Sequence, residues 1–257
     1  MSLNPILVDH CHLEQICTAI PKLNADWVHI WQLCFEERDW PYEKLGAILS
    51  ADEQGKAGRF LSEETRQLYV LRHAFLRLLI SGYLEIEPAS LVIQNNHRGK
   101  PLVNPFQNPK KLNFNVSHSG DLAVIAFLHA NELGVDVEEI QPIPDMLLIS
   151  EKYFSPKENQ GLKELPKDQQ PLGFFRCWTR KEAYAKAIGL GMSTPFNDFS
   201  VSFEPDNPAE FLEINCSNSQ AKYWGLEDIP TLPEYIASLC FPRKDLHFTN
   251  LIMHPIP

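Results

Sequence analysis

Two stretches decide the fold that this sequence predicts: Gly134-Val135-Asp136-Val137-Glu138-Glu139, and FFRCWTRKEAYAKAI from Phe174 to Ile188. The first has the alternation of a strand. Asp136 and Glu138 are two residues apart, so their side chains leave one face while the intervening valines anchor the other. The sequence therefore predicts a short strand that presents a pair of carboxylates.

The second stretch has the pattern of a helix, and it places a carboxylate between two lysines. Glu182 directly follows Lys181 and precedes Lys186 by four residues, and Trp178 shares its face one turn earlier. Taken alone, a Glu–Lys pair at this spacing is most often a surface ion pair, and two strand carboxylates are most often an exposed acidic face. Taken together, they favour a site for a divalent cation and a phosphate-rich ligand, because Mg²⁺ prefers oxygen ligands and relieves the repulsion between carboxylates.

Hydrophobic periodicity outward from these stretches predicts an α+β fold. A long helix begins at the N-cap Ser62, continues to Ile80 and is ended by Gly82. Two further helices are separated near Ser155-Pro156, and the helix of Glu182 is stopped by Gly189. Strands are predicted at 26–35, 91–93, 112–116, 122–128, 199–203, 211–214 and 235–241. Each half thus offers a long helix and several strands, which predicts two α+β lobes, 1–133 and 134–257, with a cleft between them.

Composition excludes several classes of function. The chain has 257 residues, 44% of them hydrophobic and 22% charged, which is ordinary for a globular protein. A formal net charge of -10 argues against general nucleic-acid binding. The sequence has no apolar run of the roughly 18 residues that span a bilayer, and its first 17 residues do not resemble a signal peptide. We therefore expect a cytoplasmic protein that binds neither nucleic acid nor membrane.

A turn rich in small hydroxyls is the candidate for phosphate binding. Ser117-His118-Ser119-Gly120 follows a predicted strand and can present backbone N–H groups, with His118 as a further donor. A serine hydrolase is disfavoured, because adjacent strand residues face opposite ways and no GxSxG elbow is present. The turn at Arg98-Gly99-Lys100-Pro101 lacks the glycine spacing of a P-loop and by itself predicts a solvated turn.

Glu158 has two interpretations that the sequence leaves open. Ser155-Pro156-Lys157-Glu158 matches a helix start in which Ser155 is the N-cap and Glu158 closes a capping box. That pattern predicts a structural role. A functional role for Glu158 rests only on a resemblance to a known family.

Five ordered blocks of the sequence resemble one family, the bacterial 4'-phosphopantetheinyl transferases of the larger, surfactin-synthetase-activating type. The resemblance spans roughly residues 50 to 203 and depends on the order of the blocks more than on any single one. The blocks are Gly99-Lys100-Pro101, Phe114 to Gly120, Gly134 to Glu138, Tyr153 to Glu158 and Trp178 to Lys186.

The resemblance implies a pseudo-dimer of two similar α+β lobes with the active site, and coenzyme A, in the cleft between them. Asp136, Glu138 and Glu182 would hold Mg²⁺ against the pyrophosphate of coenzyme A. Glu158, or Glu182 through a water, would take the proton from the incoming hydroxyl. The phosphates of coenzyme A would be bound by Ser117, His118, Lys100, Lys181 and Lys186.

The reaction that the family implies is a phosphoryl transfer. A serine hydroxyl of an apo acyl or peptidyl carrier protein attacks the β-phosphorus of coenzyme A, and adenosine 3',5'-bisphosphate leaves. Positioning and charge neutralisation govern such a transfer, and Mg²⁺ and lysines supply both. A general base is needed because a free serine is a weak nucleophile.

The sequence departs from the family at the adenosine end of coenzyme A. Many members have an arginine immediately before the aromatic residue of the long helix, and here that position is Leu68. Arg66 or Arg72 would substitute from an adjacent turn. Upstream, only Lys56 carries over from the family's lysines, and the first 25 residues have no counterpart.

Two other classes of function remain as alternatives. One is a non-catalytic module that binds coenzyme A or a carrier protein, which the full set of carboxylates and helix lysines disfavours. The other is a nucleotide-dependent enzyme of a different type. The sequence does not identify the physiological carrier, and two fused lobes predict a monomer.

Overall fold

The computed structural model describes residues 3–8, 20–36, 40–205, 207–214, 223–243 and 246–255, and it confirms the α+β class. The chain divides into two compact units. The first unit contains the described residues of Ser2–Asn113, Asp121–Ala130 and His247–Pro257, and the second contains those of Phe114–Gly120 and Asn131–Leu246. The predicted lobes 1–133 and 134–257, with the cleft between them, stay a prediction.

The helices and strands alternate irregularly along the chain, as expected for this class. In order they are β1 (Leu3–Val8), β2 (Trp27–Cys34), α1 (Tyr42–Ile48), α2 (Ala51–Ala57), α3 (Glu63–Leu84), β3 (Ile93–Asn95), β4 (Pro101–Val103), β5 (Leu112–Ser119), β6 (Leu122–His129), β7 (Gly134–Glu139), α4 (Met146–Tyr153), α5 (Pro156–Glu164), α6 (Gln170–Ile188), β8 (Phe199–Val201), β9 (Phe211–Ile214), β10 (Trp224–Ile229), β11 (Tyr235–Pro242) and β12 (His247–Pro255).

The first unit is built on a sheet in which β1, β12, β2 and β6 lie side by side. The pairs β1–β12 and β12–β2 are parallel, and β2–β6 is antiparallel. Helices α1 and α2 pack against α3. The sequence did not predict α1 and α2, because seven residues are too few to display a helical period.

Helix α3 begins as predicted and ends later than predicted. The Ser62 side chain accepts a hydrogen bond from the backbone N–H of Thr65. The prediction that Gly82 ends the helix was wrong, because the helix continues to Leu84 and Glu85 adopts the left-handed conformation instead. Burial of Tyr83 explains the extension: its hydroxyl bonds to both His29 and Trp31 of β2, at 2.7 and 2.8 Å. Such packing outweighs the roughly 1 kcal/mol that a glycine costs inside a helix.

The second unit is organised by the packing of one helix on one sheet. Strands β10, β11 and β7 form an antiparallel sheet in that order, and α6 packs against β7 and β11. Helix α6 ends at Gly189 as predicted, with φ 69°. Strand β10 was not predicted, because Glu227 and Asp228 interrupt its apolar pattern.

Gly134 allows β7 and α6 to approach closely. A Cβ atom at this position would lie 2.0 Å from the carbonyl oxygen of Ala183 and 2.4 Å from the backbone nitrogen of Ala187. Only glycine fits such a contact, which places the start of β7 directly against the C-terminal turns of α6. The side chains that follow Gly134 on the strand therefore lie next to those of the helix.

Within the described ranges, no helix combines the length and the apolar character needed to cross a bilayer.

Candidate active site

A cavity of about 330 Å³ lies in the second unit where β5, β7 and α6 meet. It brings together seven residues that the sequence singled out, together with Val116. They are Ser117 and His118 from β5, Asp136 and Glu138 from β7, and Trp178, Glu182 and Lys186 from α6. Segments far apart in sequence thus contribute acidic, basic and hydroxyl groups to one small volume.

Asp136 lies at the buried side of this cavity and is 3% exposed. Its Oδ1 accepts hydrogen bonds from Ser117 Oγ at 2.9 Å and from Lys186 Nζ at 2.6 Å. Lys186 Nζ also donates to Ser117 Oγ at 2.8 Å, which closes a three-membered network. The other oxygen, Oδ2, is buried and has no hydrogen-bond partner among the described residues.

Burial raises the pKa values of all three carboxylates in the cavity, and the charge of Asp136 raises those of Glu138 and Glu182 further. Burial raises the pKa of Asp136, against the charge of Lys186. Burial and the charge of Asp136 raise the pKa of Glu138, against hydrogen bonds from Ser119 and Trp178. Burial, followed by the charge of Asp136, raises the pKa of Glu182 to about 7. Negative charge has therefore been concentrated in a partly desolvated place, which favours a cation there.

Two polar residues of β5 support the acidic strand: Asn115, to which the sequence assigned no role, and Ser119, for which the predicted phosphate-binding turn was wrong because β5 continues through Ser119. Ser119 Oγ donates to Glu138 Oε2 at 3.0 Å and accepts from the backbone N–H of Glu139 at 3.1 Å. The Asn115 side chain accepts from the backbone N–H of Val135 at 2.8 Å. Asn115, Ser117 and Ser119 alternate along the strand, so a period of two was the signal available in the sequence.

Lys181 and Glu158 do not line this cavity. Lys181 Nζ lies 2.8 Å from Glu158 Oε2, and both side chains are 1% exposed. Lys181 also donates to the carbonyl oxygens of Phe196 and Phe199, both at 2.6 Å. Glu158 accepts from the backbone N–H groups of Ser155 and Val201, so the predicted capping box is confirmed.

Helix geometry explains why the two lysines beside Glu182 separate. Successive residues of an α-helix are rotated by about 100°, so Lys186 returns to within about 40° of Glu182 while Lys181 points about 100° away. Lys186 consequently faces the acidic strand, whereas Lys181 faces the core formed with Phe199.

The remaining predicted ligand-binding residues lie in the first unit. Lys56 is exposed on α2 and Lys100 is half-buried before β4, while Leu68, which stands where many family members have an arginine, is half-buried on α3. Arg66 is exposed and pairs with Glu63 of its own helix. Their roles toward coenzyme A stay predictions.

Comparison with known proteins places the chain in a family. The model of the 4'-phosphopantetheinyl transferase superfamily matches residues 132–240, and that of the 4'-phosphopantetheinyl transferase N-terminal region matches residues 35–129. The 4'-phosphopantetheinyl transferase HetI of a Nostoc species is 34% identical over 198 residues, which cover 75% of this chain and 83% of that protein. The chain belongs to the 4'-phosphopantetheinyl transferase superfamily. The 4'-phosphopantetheinyl transferase Sfp of Bacillus subtilis is 29% identical over 79% of this chain and 86% of its own length, so the chain is a phosphopantetheinyl transferase of the Sfp type.

A solved holo-(acyl-carrier-protein) synthase from Bacillus anthracis, in complex with CoA (3',5'-ADP), is 20% identical. It matches with a TM-score of 0.35, over 43% of this chain and 94% of that chain.

The carboxylates of the cavity have one property that favours Mg²⁺ binding, but they do not form a complete metal site by themselves. Asp136 Oδ2 has no hydrogen-bond partner within the described ranges, and the pKa values of Glu138 and Glu182 are raised. A cation that prefers oxygen ligands would bind the free oxygen and reduce the repulsion between the carboxylates. In the described part of the chain, however, no three acidic, histidine or cysteine side chains are arranged as a ready metal site. Mg²⁺ is commonly held by one or two carboxylates with waters and substrate phosphates, so a cavity without a closed set of three ligands still fits this cation.

Proposed function

We propose that this phosphopantetheinyl transferase uses the cavity of Asp136, Glu138, Glu182 and Lys186 to move 4'-phosphopantetheine from coenzyme A to a serine of an apo acyl or peptidyl carrier protein. The buried carboxylate of Asp136, with one oxygen bound by Lys186 and one unpartnered, is the observation that carries this proposal. Its oxygens, with those of Glu138 and Glu182, would hold Mg²⁺. The bound metal ion would neutralise charge on the diphosphate of coenzyme A.

The basic and hydroxyl groups of the cavity orient the diphosphate. Lys186 is 26% exposed and has a long, flexible side chain, so its ammonium can turn from Asp136 to a phosphate oxygen. His118 is exposed at the cavity and offers a further donor when protonated. Ser117 stays bonded to Asp136 and keeps that carboxylate in place.

Proton removal from the carrier serine is assigned to Glu182, acting directly or through a water. In the metal-free cavity burial raises the pKa of Glu182 to about 7, and a cation beside this carboxylate would lower that pKa again, so the assignment rests on the place of Glu182 in the cavity. Glu158 was the other candidate, and its contacts with Lys181 and two backbone N–H groups support the structural alternative instead. The serine oxygen then forms a bond to the β-phosphorus, and the bridging oxygen leaves with adenosine 3',5'-bisphosphate.

Lys181 is likewise assigned a structural role in place of the predicted phosphate contact. Its ammonium is neutralised by Glu158 and satisfied by two carbonyl oxygens, so it has no donor left for a ligand. The pair would fix α6 against the segment that carries Phe196 and Phe199.

The proposal is tested by product analysis with coenzyme A, Mg²⁺ and a panel of apo carrier proteins. We expect a covalent adduct of one 4'-phosphopantetheine group on the carrier and an equal amount of adenosine 3',5'-bisphosphate, both abolished by EDTA and restored by Mg²⁺. Full turnover in EDTA would remove the metal assignment. Binding of coenzyme A without an adduct on any carrier would favour the non-catalytic module instead.

A further inference from the structure

The contact between Lys186 and Asp136 fills the place at which a cation would meet that carboxylate. Lys186 Nζ lies 2.6 Å from Asp136 Oδ1, a charge-assisted hydrogen bond, and 2.8 Å from Ser117 Oγ. The carboxylate is 4% exposed and the lysine side chain 26% exposed, so water screens the pair only in part. The protein thus carries its own counter-charge at this position.

A second cation approaching Asp136 would be repelled by that ammonium. Coulomb interactions at separations of about 4 Å are several-fold stronger beside a protein than in bulk water. The buried Asp136 Oδ2 is open to a metal ion, but an ion there would lie close to the ammonium on Oδ1. A phosphate group would reduce this repulsion, because it offers the Lys186 ammonium another partner of high negative charge.

We propose that Lys186 is the internal counter-cation of Asp136 and that it keeps the affinity for free Mg²⁺ low until a phosphate-bearing ligand draws the ammonium away. The inference rests on the proposed metal role of Asp136. Metal ion and coenzyme A would then bind cooperatively, and by linkage each would raise the affinity for the other by the same factor. Lys186 would accordingly set the order of binding as well as contact phosphate.

Titration with a metal ion, in the absence of any other ligand, tests whether Lys186 lowers the affinity for the free cation. The probe is Mn²⁺ as a stand-in for Mg²⁺, with free Mn²⁺ followed by electron paramagnetic resonance. We expect Lys186→Met to bind Mn²⁺ at least tenfold more tightly than the wild type, and Lys186→Arg, which keeps the charge, to bind as weakly as the wild type. Equal or weaker Mn²⁺ binding by Lys186→Met would overturn the inference.

The matched control is Lys163→Met, which removes the same charge from an exposed pair with Glu151 in the same unit. It should leave Mn²⁺ affinity unchanged, so a gain shared by both variants would mean that only the net charge matters, and this too would overturn the inference.

Loss of the counter-charge also affects folding, which supplies a second measurement. Lys186→Met leaves Asp136 buried without its ammonium, so its melting temperature in EDTA should fall. Mn²⁺ should raise the melting temperature of Lys186→Met by several degrees more than that of the wild type, because the stabilisation of the folded state by a ligand grows with the logarithm of its affinity. Equal shifts would contradict the inference even if the variant is unstable.

Failure of the inference is distinguishable from failure of the proposed function. A wild-type protein that modifies carrier proteins, with a Lys186→Met variant that gains no affinity for Mn²⁺, overturns the inference alone. A wild-type protein that modifies no carrier overturns the function, and the Mn²⁺ titration still reports on Asp136 and Lys186.

Discussion

At the scale of single residues, the site depends on carboxylates that the fold holds at a cost to stability. Asp136 is buried with an unpartnered oxygen, and Glu182 lies within its repulsive field. Such arrangements persist where function requires them. Removing one of these charges should therefore stabilise the ligand-free protein.

Glu182→Gln tests whether loss of a carboxylate charge stabilises the ligand-free protein, through the pH dependence of unfolding in EDTA. A carboxyl with a folded-state pKa of about 7 and an ordinary value of 4.5 favours folding fully below 4.5, and that contribution is lost as pH rises toward 7. The free energy of unfolding of Glu182→Gln should thus equal that of the wild type near pH 4.5 and exceed it by about 1–3 kcal/mol at pH 8. The measurement is urea denaturation at both pH values, with Glu164→Gln on the exposed end of α5 as control. A gap that does not widen with pH would contradict the pKa shift.

His118→Ala tests the role of the exposed donor at the cavity. Because His118 is exposed, its loss should leave the melting temperature unchanged, while KM for coenzyme A rises about tenfold, the worth of one charge-assisted hydrogen bond. Steady-state kinetics at pH 6 gives the readout. His247→Ala, also exposed, is the control. An unchanged KM would remove His118 from the phosphate site.

At the scale of elements, the site is positioned by the close packing of β7 on α6. Gly134 permits the approach, and the antiparallel partner β11 fixes the register, with Ser238 opposite Asp136. The Thr179 hydroxyl of α6 meets the Ser238 hydroxyl at 2.9 Å. Strand, neighbouring strand and helix are thereby held together beside Asp136.

Gly134→Ala should disrupt this packing. Its methyl group would overlap backbone atoms of Ala183 and Ala187, which cannot move aside as a side chain can. We expect a loss of 3 kcal/mol or more, at or above the usual range of about 1–3 kcal/mol for overpacking. Gly55→Ala is the matched control, since no atom lies within 4 Å of its added Cβ and alanine favours the helix by about 1 kcal/mol. Similar stabilities of the two variants would contradict the close contact.

Lys181→Met distinguishes a structural role from a role at the phosphates. It leaves Glu158 charged and buried, so we expect a loss of about 3–5 kcal/mol in the free energy of unfolding. The double variant Lys181→Met/Glu158→Gln should recover part of that loss and retain the wild-type KM for coenzyme A. The exposed pair of Lys163 and Glu151 should be worth less than about 1 kcal/mol. A stable Lys181→Met with a raised KM would restore the phosphate role.

The helices and strands also show which features of the structure could be predicted from the sequence. The strand of Asp136, the helix of Glu182 and the cap at Ser155 were predictable, because each depends on local spacing within about ten residues. The separation of Lys181 from Lys186 follows from helical rotation, but which direction is buried depends on Phe196 and Phe199. The end of α3 beyond Gly82 depended on Tyr83 meeting β2. Such partners are remote in sequence and leave no local signal.

At the scale of the whole molecule, the two units hold different parts of the predicted ligand-binding set. The cavity with its carboxylates and Lys186 is contained in the second unit. Lys56, Arg66 and Lys100 belong to the first, and their roles rest on the resemblance to the family. Family membership spans both parts of the chain, from residue 35 to residue 240.

Transfer of 4'-phosphopantetheine by this cavity would be seen at once in the mass of an apo carrier protein. The carrier is incubated with coenzyme A and Mg²⁺, with either the wild type or a folded Glu182→Gln. The wild type should add one 4'-phosphopantetheine group, and Glu182→Gln should do so at least about a hundredfold more slowly. Transfer by this cavity is contradicted if several carriers gain no mass with the wild type, or if the two proteins modify the carrier at equal rates.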